Sequence, residues 1–197
     1  MDLFVAGLPN SGTTHVAHLL QQAGCDFGSD VWPHSLHRKG MEWLPVRDWY
    51  LRMFDVFMGG PDPGDAIFTM DWQTRRLYWQ ECPPPVEPPP CLKVPDFGIH
   101  RLDVYYHPEV VLRVVRPKAG WVSSMTKWRP GCRGMDGFLG EVYDMVTATQ
   151  PADLTVEWPR CVRDVDYLVG ALCGLVERDA LLDAFRRVTK PEWVTFG

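Results

Sequence analysis

Residues 3 to 14 read Leu3-Phe4-Val5-Ala6-Gly7-Leu8-Pro9-Asn10-Ser11-Gly12-Thr13-Thr14, and their order decides the fold. Leu3 to Gly7 is a short apolar run with the character of a buried strand. A Gly/Pro/Asn/Ser turn follows, and then Val16, Ala17, Leu19, Leu20 and Ala23 recur at helical spacing until Gly24 ends the helix. Two further strands are predicted, at Val110 to Val115 and at Leu154 to Trp158, each leading into an apolar-periodic helical segment. Strands alternating with helices predict an α/β fold, a three-layer arrangement around a parallel sheet.

The 197 residues suit a single domain spanning 1–197. An insert of different character is expected at about 30–90, rich in tryptophan (Trp32, Trp43, Trp49, Trp72, Trp79), with helices near 44 to 58 and 71 to 80. It ends in a stretch at 83–95 that holds seven prolines and reads as a stiff, extended surface connector. No internal repeat is present, which excludes solenoids.

Twenty Lys and Arg against 25 Asp and Glu give a net charge of −5, which argues against nucleic acid or an anionic membrane as the partner. The N-terminal residues lack the basic and apolar regions of a signal peptide, and no run is long enough to span a bilayer, so a cytoplasmic protein is expected. The six cysteines form no C-x-x-C pair and most read as reduced core residues, with no metal site. Charge is unevenly distributed. Arg113, Arg116, Lys118, Lys127, Arg129 and Arg133 fall between Val110 and Met135 without one acidic residue among them. Such a local positive site in an acidic chain suits a small polyanion.

The G-x-x-x-x-G spacing from Gly7 to Gly12 places a phosphate loop between strand and helix, a P-loop NTPase-like topology. Backbone N–H groups there converge on an anion, and the helix dipole favours its charge. The alternative is a plain strand-to-helix turn. Thr13 stands where the Walker lysine would be, so a kinase or NTPase of the usual type loses the cation that neutralises the terminal phosphates.

Pro9-Asn10-Ser11-Gly12-Thr13-Thr14 resembles the nucleotide loop of the sulfotransferase superfamily, usually P-[K/R]-S-G-T-T. That family's second signature is a strand-end Arg with a Ser eight residues later, and here the strand runs into Arg116-Pro117-Lys118 with Ser124 at that distance, Ser123 being its neighbouring alternative. Lys93-Val94-Pro95 is similar to the K-x-P segment of bacterial and membrane-enzyme branches, and Gly40-Met41-Glu42 to their glycine-aromatic-glutamate segment. Three departures are plain. Asn10 replaces the loop's basic residue, Pro95 stands where the small-molecule enzymes carry a histidine, and no C-terminal R-x-G-x-x-G occurs.

The resemblance implies a metal-free transfer of a sulfuryl group from 3′-phosphoadenosine 5′-phosphosulfate to a hydroxyl or amine, leaving adenosine 3′,5′-bisphosphate. It implies that Pro9, Asn10, Ser11, Gly12, Thr13 and Thr14 hold the 5′ end, that Arg116 and Ser124 hold the 3′-phosphate, that Lys93 polarises the transferring group and that Glu42 is the base. His34 and His37 are alternative bases. His15 and His18, on the first helix, read as a loop-edge and a packing residue. A small-molecule or glycan-like acceptor is implied, for which the five insert tryptophans offer an aromatic wall, though such residues also build cores. The other readings are a nucleotide-binding protein without catalysis and an atypical P-loop kinase.

Overall fold

The computed structural model describes residues 2–34, 38–49, 86–95, 106–149 and 152–189 of the chain. Strand β1 (Leu3–Gly7) is buried at all five positions. A strand covered on both faces needs no polar alternation, which is why its sequence is a continuous apolar run. It pairs in parallel with β4 (Cys91–Pro95) on one side and β5 (Val110–Val115) on the other, and β6 (Leu154–Glu157) pairs in parallel with β5. The sheet order is β4-β1-β5-β6. Both neighbours of β1 come later in the chain, one on each side, so the carboxyl ends of β1 and β5 flank a point where the topology switches direction. Open parallel sheets bind their ligands at such points.

Alternation along β5 assigns the two faces. Leu112 and Val114 join Leu3 and Val5 in a core shared with Val16, Leu19 and Leu20 of α1 (Thr13–Gln22), Leu168 and Leu172 of α5 (Val165–Leu172), and Leu181 and Ala184 of α6 (Arg178–Val188). Arg113 points the other way, its Nη1 donating to the Thr147 carbonyl of α3 (Asp136–Thr149) at 3.3 Å. That layer closes around Leu8, Trp121 and Met125 of α2 (Lys118–Trp128), Cys132, Leu139 and Val146. Helices on both faces of a parallel sheet make the three-layer α/β arrangement expected from the sequence, and α4 (Arg160–Arg163) caps the end of β6.

Two expectations are corrected. The connector expected at 83–95 ends at Cys91, where the chain becomes β4 with Cys91, Leu92, Lys93 and Val94 all buried. Pro95, which cannot donate to a ladder, closes this outermost described strand, one of the positions where proline is tolerated. The insert, expected to be helical, contributes an antiparallel hairpin of β2 (Val31–His34) and β3 (Arg38–Trp43). Residues 44–49 are helical as expected, while the rest of the helix expected at 44 to 58 and the one at 71 to 80 lie outside the described residues. Met41 anchors the hairpin, fully buried in the α1 core. No helix among the described residues is long and apolar enough to cross a membrane.

Candidate nucleotide-binding site

The loop from Gly7 to Thr14 leaves β1 at the sheet's carboxyl edge and opens α1. Gly12 is the N-cap of α1 with φ 97°, and Asn10 has φ 64°. Both lie in the left-handed region, where glycine is free and asparagine is among the few side chains tolerated. A long basic residue at position 10 would meet that backbone cost, a local reason for asparagine here. Its Nδ2 points at Met125 Sδ, 3.5 Å away. Ser11 is only 1% exposed, and its Oγ has no hydrogen-bond partner among the described residues. An unspent buried hydroxyl costs about 1–3 kcal/mol.

Helix α2 holds this loop. The Trp121 indole N–H donates to the Pro9 carbonyl at 2.7 Å, and Met125 meets Asn10, so positions 121 and 125 of one helix face lie on the loop. Ser124, buried at 9% exposure, lies beside them on the same turn. Helix α2 starts directly after Arg116-Pro117, with Pro117 as its N-cap. The Arg116 side chain then lies along the helix start. A Cβ on Gly120 would stand 3.6 Å from Arg116 Cγ, and Gly120 is one turn before Ser124. The loop and Arg116 thus follow neighbouring strand ends, and Ser124 lies on the helix turn whose Trp121 and Met125 meet the loop.

The Arg116 guanidinium is half-buried, and burial holds it below its ordinary pKa range. No acidic side chain pairs with it among the described residues. Its Cζ instead lies 6.0 Å from the centroid of the Trp158 ring. Burial disfavours the charge, so an arriving anion would restore what solvent no longer supplies. Tyr143 fixes the backbone here by donating its hydroxyl hydrogen to the Arg116 carbonyl at 2.9 Å.

Lys93, expected to polarise the transferring group, and Glu42, expected to be the base, meet each other. Lys93 Nζ donates to Glu42 Oε1 at 2.7 Å and to the Gly40 carbonyl at 2.9 Å, with Arg47 Nε 3.5 Å from the other carboxylate oxygen. The ammonium is buried at 8% exposure, and the pair clasps the hairpin to β4. Lys93 is in register with Val5 and Pro95 with Gly7, so Lys93 sits two residues before the level at which the loop begins. His34 lies at the end of β2, and His37 lies outside the described residues. His15 is buried, its ring edge-on to Trp158 at 5.5 Å and its Nε2 3.2 Å from Thr189 Oγ1, which links the start of α1 to the end of α6. Among the described residues no group of three or more His, Cys, Asp or Glu could hold a metal ion.

Trp121, Gly120 and Trp158 escaped the sequence reading. Trp121 shares a helix face with Ser124, a spacing visible in sequence, and Gly120 precedes Ser124 by one turn. Trp158 read only as a strand end, because its partners Gly12, His15 and Arg116 are distant along the chain. No family model matches this chain, and no curated protein matches it.

Proposed function

We propose that this protein is a sulfotransferase-like enzyme that binds 3′-phosphoadenosine 5′-phosphosulfate at the carboxyl edge of its sheet and passes the sulfuryl group to a hydroxyl or amine. The observation that carries the reading is Arg116, a half-buried guanidinium without an acidic partner among the described residues, directly after β5, the strand that pairs with β1 ahead of the glycine loop. A nucleotide with anionic groups at both 3′ and 5′ positions spans two such centres, whereas a 5′-triphosphate concentrates its charge on one. The loop's N–H groups and the α1 dipole suit the 5′ end, and the guanidinium fork with the Ser124 hydroxyl suits the 3′-phosphate.

In this reading the acceptor's lone pair attacks sulfur in line, the bond from sulfur to the 5′-phosphate oxygen breaks, and the acceptor's proton passes to Glu42. The bisphosphate leaves with the electron pair of the broken bond. The protein contributes positioning and electrostatics. A second reading, binding without transfer, is favoured by two observations: Asn10 brings no charge to the loop, and Lys93 is engaged by Gly40 and Glu42.

Incubation with ³⁵S-labelled donor and a panel of phenols, sugars and amino sugars separates the two readings. Acceptor-dependent labelled product is expected, and it should disappear in Arg116→Ala. Intact bisphosphate binding with no labelled product across the panel would overturn transfer and leave the binding reading.

A further inference from the structure

We propose that Trp158 is a positioning residue for this site, its indole ring wedged between Gly12 and the Arg116 guanidinium so that it sets where the guanidinium meets a ligand's second phosphate. The inference rests on the nucleotide reading given above and adds to it the residue that decides preference for a bisphosphorylated over a monophosphorylated nucleotide.

Four observations carry it. Trp158 is tied to the strand that delivers Arg116, its backbone N–H donating to the Val115 carbonyl at 2.6 Å, one residue before Arg116. Its ring presses on the loop: a Cβ on Gly12 would stand 2.5 Å from Trp158 Cε3 and 2.6 Å from Cδ2, so the indole fills the space that glycine leaves at the opening of α1. Arg116 then lies between Gly120, where a Cβ would stand 3.6 Å from its Cγ and 3.8 Å from its Cδ, and the Trp158 ring, 6.0 Å from its Cζ. Finally, the indole N–H is buried without a hydrogen-bond partner among the described residues. The ring is thus placed by packing, including the edge contact with His15, rather than by a hydrogen bond of its own.

A guanidinium without an acidic partner has little to fix its direction except such a ring. Cation–π attraction at a partly buried site is enough to select one arrangement of a flexible side chain. The gain is preorganisation. An arginine already aimed at the ligand loses less entropy on binding. Only a ligand that reaches Arg116 benefits, so the effect must appear on the second phosphate and not on the one held by the loop.

The test is calorimetric titration of wild type, Trp158→Phe, Trp158→Leu and Gly120→Val with adenosine 3′,5′-bisphosphate and with adenosine 5′-monophosphate. Wild type should prefer the bisphosphate by at least about tenfold, and Trp158→Phe, which keeps an aromatic face, should retain that preference. Trp158→Leu should lose about tenfold in bisphosphate affinity while the monophosphate changes by less than about threefold, in keeping with the size of a cation–π contact. Gly120→Val, whose Cβ would stand in ordinary contact with Arg116 and whose added methyls are meant to crowd it from its other side, should lose the same preference, and it carries the test if Trp158→Leu fails to fold. Equal losses for both ligands, or an unchanged ratio in Trp158→Leu and Gly120→Val, would overturn the positioning role while leaving the nucleotide reading standing. A wild type that does not prefer the bisphosphate would overturn both.

Discussion

Replacing Arg116 with alanine is expected to weaken binding of adenosine 3′,5′-bisphosphate by roughly 100-fold, the consequence of losing a bidentate, charge-assisted contact in a partly buried site. The melting temperature should hardly move. Arg116 takes part in no ion pair with an acidic residue among the described residues, and both hydrogen bonds that fix this part of the backbone survive the change: Tyr143 to the Arg116 carbonyl, and the Trp158 N–H to the Val115 carbonyl. Arg116→Lys keeps the charge but loses the planar fork, so an intermediate loss of about tenfold is expected. The combination is diagnostic. A structural arginine would lower stability when removed, whereas a ligand-binding one lowers affinity at nearly constant stability. Wild-type affinity in Arg116→Ala would remove the strand-end arginine from the site.

The second large effect falls on folding. Gly7 ends β1, and a Cβ there would lie 2.4 Å from the Val114 carbonyl oxygen, 2.6 Å from Ser11 Oγ and 2.7 Å from Thr13 Cγ2. Real contacts of this kind do not fall below 3.0 Å. The first clash is with the backbone of the neighbouring strand, which cannot turn aside as a side chain can. Gly7→Ala must therefore part β1 from β5 or push the loop outward, at a cost of about 3 kcal/mol. For a chain of this size that lowers the melting temperature by about 6–12 °C, read by circular dichroism. Gly170→Ala in α5 is the control. Among the described residues nothing lies within 4 Å of a Cβ there, and alanine in a helix interior is favoured, so its melting temperature should stay level or rise. A Gly7→Ala protein that melts within about 2 °C of wild type would show that the two strand ends do not approach as closely as described.

The strands whose bounds are read most closely from the sequence are the two central ones. Leu3 to Gly7 and Val110 to Val115 are recognisable because both faces of a central parallel strand are covered, and the observed strands have those same bounds. The strand expected at Leu154 to Trp158 stops at Glu157. β4 was hidden by the prolines around it and by Lys93, whose burial depends on the Glu42 carboxylate, 51 residues away in the chain. The hairpin was hidden for a similar reason. Pro33 and the left-handed Met41 interrupt any alternation, and its anchor is a methionine buried under α1. Of the site, the loop and the Arg116/Ser124 pair follow from local spacing, since a strand end and the next two helical turns are close by construction. The pairing of Lys93 with Glu42, and the wedge of Trp158 between Gly12 and Arg116, are tertiary contacts that no local pattern encodes.

The central claim is that the loop and Arg116 together form a site for a nucleotide bearing phosphates at both ends of its ribose. The most direct measurement is calorimetric titration of the wild-type protein with adenosine 3′,5′-bisphosphate, with ATP and ADP as comparison ligands. Micromolar binding of the bisphosphate, with ATP and ADP at least about tenfold weaker, is the predicted result. No binding of the bisphosphate, or ATP binding as tightly, would contradict the account.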